Sequence, residues 1–167
     1  MRLSPLVLSL GLSLGASVIA GCSGGGSDPP PDADEALACM TSGRGDTYVA
    51  GLEKMGTGGQ LDFHLVSANP SPPARYLNAW VVQINSMAAG VVGAPMSDAS
   101  LVVTPYMPDH QHGAGDYKTK VAPMADNPGQ YQLTDINTWM PGYWEITIDA
   151  TAGTVQDTVV YKFCIQE

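Results

Sequence analysis

Positive charge is scarce: 7 lysines and arginines face 16 aspartates and glutamates, a formal net charge of -9 at pH 7. Phosphate backbones and anionic lipid headgroups are repelled by such a surface, which argues against a protein that tracks nucleic acid. Phenylalanine is rare at 2 residues, whereas 19 glycines and 13 prolines interrupt the chain. That balance excludes long helices in favour of short strands joined by many turns. Catalytic signatures are missing too. From residue 39 onward there is no HExxH pair, no G-x-S-x-G nucleophile elbow and no P-loop. Glu53, Glu145 and the aspartates show no spacing that singles out an acid and a base. The expected contribution is therefore binding and not turnover, so no enzyme is expected.

The first residues read as an address and not as fold. Met1-Arg2 is a short positive start, and Leu3 to Ala20 is an apolar run diluted by Gly11, Gly15 and serines. Ile19-Ala20-Gly21-Cys22 resembles the bacterial lipoprotein signal, in which the cysteine thiol receives a diacylglyceryl group. An ordinary signal peptide or a membrane helix is the alternative. The helix is disfavoured because Ser23-Gly24-Gly25-Gly26-Ser27 follows without a positive stop signal. The expectation is a signal peptide over 1–21, lipidation at Cys22, a Gly/Ser/Pro spacer over 22–38 and one folded domain over 39–167. The protein would be exported and held on a bacterial membrane by lipid, with the domain facing the periplasm or the cell exterior.

With Cys22 assigned to lipid, Cys39 and Cys164 remain. In an oxidising compartment two leftover thiols are expected to pair, which would tie the leading segment to the last strand. A cysteine thiolate on copper, beside His and Met, is the sharper alternative.

Alternation then marks the strands. Leu61, Phe63 and Leu65 fall on one face and Asp62 and His64 on the other. Asn78, Trp80, Val82 and Ile84 share a phase in the next run, and Ser100 to Met107 is continuous in apolar and β-branched residues. Tyr143 to Asp149 and Val155 to Ile165 complete the set, with a weaker strand over Lys118 to Met124 and a turn at Asp126-Asn127-Pro128-Gly129. Thr47 to Leu52 is expected to be extended, Glu35 to Cys39 a helical turn too short to stand alone, and Val91-Val92 to pack within a loop or hairpin. Repeated short strands without an amphipathic helix describe an antiparallel β-sandwich, with an open barrel as the structural alternative.

One cluster stands out within that pattern. Met107, His110 and His112 lie within six residues, in a chain whose one further histidine is His64. Thioether sulfur with imidazole nitrogen suits copper, and the cuprous ion especially. Met140, Met124 and Met96 each sit beside a turn from which they could return to the same rim, and His64 is a further candidate. Zinc is the rival metal, through the two histidines with Asp109 or Asp116. The plain alternative is that the methionines fill core space and the His-x-His pair is a polar turn.

The stretch Tyr106-Met107-Pro108-Asp109-His110-Gln111-His112-Gly113 resembles the signature of the YtkA-like domain family. Asn78-Ala79-Trp80, Pro128-Gly129-Gln130-Tyr131 and Met140-Pro141-Gly142-Tyr143-Trp144 agree in order and spacing. The resemblance implies an immunoglobulin-like sandwich, export with a lipid anchor, and copper handling or help in assembling respiratory copper centres. It implies Met107, His110 and His112 as ligands, Met140 as a fourth, and a copper-receiving protein as partner. Asp109 and the second histidine, His112, depart from the commonest form of the motif. Asp109 is expected either to orient an imidazole or to be solvated. An anchored interaction or adhesion module without metal is the competing function.

Overall fold

The computed structural model describes residues 31–166. The elements are a helix α1 (Pro31–Ser42) and strands β1 (Leu52–Met55), β2 (Leu61–Asn69), β3 (Tyr76–Ala88), β4 (Val91–Pro95) and β5 (Ser100–Met107). They continue with β6 (His112–Gly113), β7 (Lys120–Pro123), β8 (Gln130–Thr138), β9 (Gly142–Ala152) and β10 (Val155–Ile165). One sheet runs β1-β2-β3-β8-β7 with β4 also paired to β3, and the other runs β10-β9-β5-β6. Every pairing is antiparallel. The expected antiparallel, immunoglobulin-like β-sandwich is the fold. Among the described residues no helix is long and apolar enough to cross a membrane.

The alternation explains why the layers stack. Leu61, Phe63 and Leu65 of β2 and Trp80, Val82 and Ile84 of β3 are buried, as are Trp144, Ile146 and Ile148 of β9. Trp80 meets Tyr161 and Phe163 of β10 edge-on at 6.0 and 5.6 Å, so this one indole joins the two sheets. Edge-to-face geometry suits the ring quadrupoles and adds to the area buried.

Cys39 and Cys164 form a disulfide with Cα atoms 5.6 Å apart. The expected spacer is corrected at this point, because α1 occupies its second half and runs on to Ser42. A 12-residue helix is marginal alone. Here Ala36 and Cys39 are buried, and the helix lies against β9 and β10. Two smaller differences follow from edges. The segment expected over Thr47 to Leu52 pairs only from Leu52 onward. Val91 and Val92, expected to pack locally, are exposed on β4, a short edge ribbon off β3. Cys22 and the signal segment lie outside the described residues.

The loop between β1 and β2 is held from the opposite sheet by Asp157. Its carboxylate accepts backbone N–H bonds from Gly58, Gln60, Leu61 and Thr158 at 2.6–2.9 Å. Burial pushes this carboxyl up, but the four N–H donors outweigh it and hold the group below the ordinary carboxylate value. Its contribution is therefore complete above the unfolded value of about 3.9 and is lost as pH falls through the lower, folded value. Replacing Asp157→Ala is expected to cost about 2–4 kcal/mol near neutral pH, read from urea midpoints. The loss of stability between pH 5 and the acid limit should be shallower in the variant. Identical pH dependence of the two proteins would contradict this role.

Candidate metal centre

At the end of β5 the chain turns back into β6, and Met107 pairs directly with His112. Residues directly opposite on antiparallel strands project their side chains from the same face, so the pairing itself brings thioether and imidazole together. The intervening turn is closed by His110 N–H to the Met107 carbonyl at 3.2 Å and Gln111 N–H to the Pro108 carbonyl at 3.3 Å. Gln111 takes a positive φ of 56° there. Of the extended and turned arrangements the sequence allowed for the two histidines, the turned one occurs, with ring centroids 5.8 Å apart.

Met107 is fully buried and belongs to the core. His112 lies at the boundary: its ring stacks on Trp139 at 5.0 Å and meets Trp144 edge-on at 5.8 Å. His112 Nδ1 lies 3.0 Å from the Gly113 carbonyl. A carbonyl can only accept, so Nδ1 carries the hydrogen and the neutral ring keeps its lone pair on Nε2. That Nε2 is buried and has no hydrogen-bond partner. A soft cation beside Met107 would satisfy it, so the donor chemistry fits copper. Met140 is half-buried against the core, and its carbonyl accepts from Trp144 Nε1 at 2.9 Å, which holds the strand start at the same rim.

His110 is held differently. Its Nε2 donates to Glu35 Oε2 on α1 at 2.7 Å, which leaves Nδ1 to offer a lone pair. A carboxylate on the far nitrogen fixes the tautomer and the ring orientation, as the usual outer partner of a ligating histidine does. Asp109 is corrected accordingly. It neither orients an imidazole nor stands free in solvent, but takes both ends of the Arg44 guanidinium at 2.6 and 2.9 Å. The Arg44 fork holds the Asp109 carboxyl below its usual range. Arg44 also lies over the Tyr143 ring at 4.1 Å. Glu35 was missed in the sequence because the expected helical turn over Glu35 to Cys39, which does lie within α1, was given no place against the domain. The available signal was its place four residues before Cys39, on the segment the disulfide draws in.

The other candidates lie elsewhere. Met107, His112 and Met140 sit where β3 begins, since Tyr76 pairs with Thr138. Met96 donates its N–H to the Ile84 carbonyl and Met124 its N–H to Gln130, and Gln130 pairs with Gln83 near the other end of β3. His64 also pairs with Gln83, on β2. Met96, Met124 and His64 are thus not brought to this rim, because the strands between are too long to fold back. Asp116, the other carboxylate weighed for zinc, is exposed in the loop after β6.

Fold and site together define an antiparallel sandwich with a methionine and two histidines on one hairpin at its rim. The family model for YtkA-like domains matches residues 59–149, and the chain belongs to that family. The match contains Met107, His110, His112 and Met140 but stops short of Glu35, Arg44 and both bonded cysteines. No curated protein and no solved structure matches the chain.

Gly142 fixes the depth of Met107. Its φ is 120°, and a Cβ there would stand 2.5 Å from the Met107 Cε. Gly142→Ala is therefore expected to cost about 2–3 kcal/mol through backbone strain and displacement of Met107. Urea midpoints measure the cost, and near-ultraviolet circular dichroism should register movement around Trp139 and Trp144. An unchanged midpoint would show that Met107 is not seated against this position.

Proposed function

We propose that this protein is an exported, lipid-anchored copper carrier that binds the cuprous ion through Met107 and His112, with His110 and Met140 completing the set. The observation that carries the reading is the buried, unpartnered His112 Nε2 across the strand pair from Met107. A lone pair left bare in an apolar setting costs the fold free energy, and a ligand that accepts it recovers that cost. Bound copper would supply a soft centre that thioether holds in the reduced state and imidazole tolerates in the oxidised one. The chain's own part is to orient His112 through Gly113 and Trp139 and to orient His110 through Glu35. Half-exposed His110 leaves the site open on one side for transfer to a copper-receiving protein.

A second reading rests on a specific observation. Glu35 on His110 and Arg44 on Asp109 already fasten the hairpin to the leading segment without an ion. An anchored interaction or adhesion module would use the same rim as a rigid polar surface.

The test is titration of the full-length protein, in neutral detergent with its disulfide intact, with cuprous ion against a chromophoric competitor. One ion per chain is expected, and His112→Leu should abolish binding while holding or raising the unfolding midpoint, since it removes an unsatisfied buried nitrogen. Met107→Leu, which conserves volume, should also remove tight binding with little loss of stability. Glu35→Gln should weaken binding by about tenfold, as outer partners of ligands do. Equal affinity in wild type and His112→Leu would overturn the copper reading. Partner capture that survives His110 and His112 replacement would then favour the interaction module.

A further inference from the structure

We infer that Glu53, Asp62 and His64 form a second metal site, for a borderline divalent cation such as zinc, on the outer face of the β1-β2-β3 sheet. Glu53 pairs with His64 across β1 and β2, which places both on one face, and Asp62 lies two residues before His64 on that same face. Their ligand atoms all stand within 4.8 Å of one another.

The carboxylate of Asp62 supplies the observation that points to a ligand. Its side chain is 1% exposed, although it sits on the face opposite the core. One oxygen, Oδ2, is close to His64 Nε2 and accepts from Asn85 Nδ2 at 3.3 Å. The other, Oδ1, is buried without a partner. Glu53 adds a second carboxylate, 3.9 Å from His64 Nε2. The basic side chain beside both carboxylates is the His64 imidazole. A buried acid with a bare oxygen, beside another acid and a histidine, has the donor set of a zinc site with one position left for water.

The donor types select the ion. Calcium and magnesium prefer oxygen throughout, and the cuprous ion is poorly served by a set dominated by two carboxylates, although Met55 lies opposite Asp62 on the same face. Zinc accepts imidazole nitrogen and carboxylate oxygen together at about 2.0–2.2 Å. Closing the cluster onto such an ion requires His64 Nε2 to give up its hydrogen and its bond to Asp62 Oδ2, and the 56% exposed Glu53 side chain to turn toward the ion. Because β1 is a four-residue edge strand, an ion held between Glu53 and the β2 pair would also clip that edge to its sheet.

The experiment titrates metal-stripped, full-length protein with zinc chloride against a chromophoric chelator, and follows the melting midpoint with and without zinc. Wild type is expected to bind one zinc per chain and to melt higher with it. His64→Gln and Asp62→Asn should each lose about tenfold or more in affinity along with the thermal shift. Glu53→Gln, at an exposed position where folding is not at stake, should weaken zinc in the same direction. His112→Leu should leave zinc binding intact, which separates this site from the rim. Cobalt in place of zinc should give the intense visible bands of a four-coordinate ion, absent in Asp62→Asn. No zinc binding, full affinity in Glu53→Gln and His64→Gln, or loss of zinc on His112→Leu would each overturn the assignment.

Discussion

Burial of Met107 between the end of β5 and the start of β9 is the constraint on which the rim depends, because that side chain is shared by the core and the candidate site. Its depth is set by Gly142, where a side chain would collide with it, and its direction by the pairing with His112. Once Met107 is seated, His112 is held opposite, and the two tryptophans close around its ring. A surface methionine would swing among rotamers and lose that entropy on binding an ion. A packed one has already lost it in folding.

The disulfide does the complementary work from outside. By joining Cys39 to Cys164 it brings α1 against β9 and β10, and with the helix comes Glu35. Arg44 follows directly and holds Asp109, so the turn between Met107 and His112 is gripped at two points by a segment remote in sequence. The YtkA-like match begins at residue 59, downstream of that entire segment. The hairpin that carries Met107, His110 and His112 therefore lies inside the matched span, while the clamp on His110 comes from the segment that precedes it.

The fold was largely legible because strand alternation is a local signal: Leu61, Phe63 and Leu65, or Trp144, Ile146 and Ile148, reveal their burial in the order of residues alone. The rim hairpin was legible for the same reason, since Met107 and His112 are near neighbours in sequence. What could not be read depended on distance along the chain. Met96 and Met124 border turns as Met140 does, yet strand length carries them to the opposite end. Glu35 meets His110 only after the disulfide has placed α1. Two pieces of the family pattern turned out to serve the frame. Asn78 bonds Ala74, Tyr76 and Thr138 to fasten the connection after β2, and Gly129 passes where a Cβ would strike Gln83 and Pro95.

Two faces with different donors thus stand on one sandwich: sulfur and imidazole at the rim, carboxylates and imidazole on the sheet. Metal preference follows ligand softness, so the two need not compete for the same ion. X-ray absorption at the copper edge of cuprous-loaded, full-length protein addresses the central claim most directly. Sulfur and imidazole nitrogen together around the ion, with the sulfur contribution diminished in Met107→Leu, is the expected result. A copper environment of oxygen and nitrogen alone, or one unchanged by that substitution, would contradict the account.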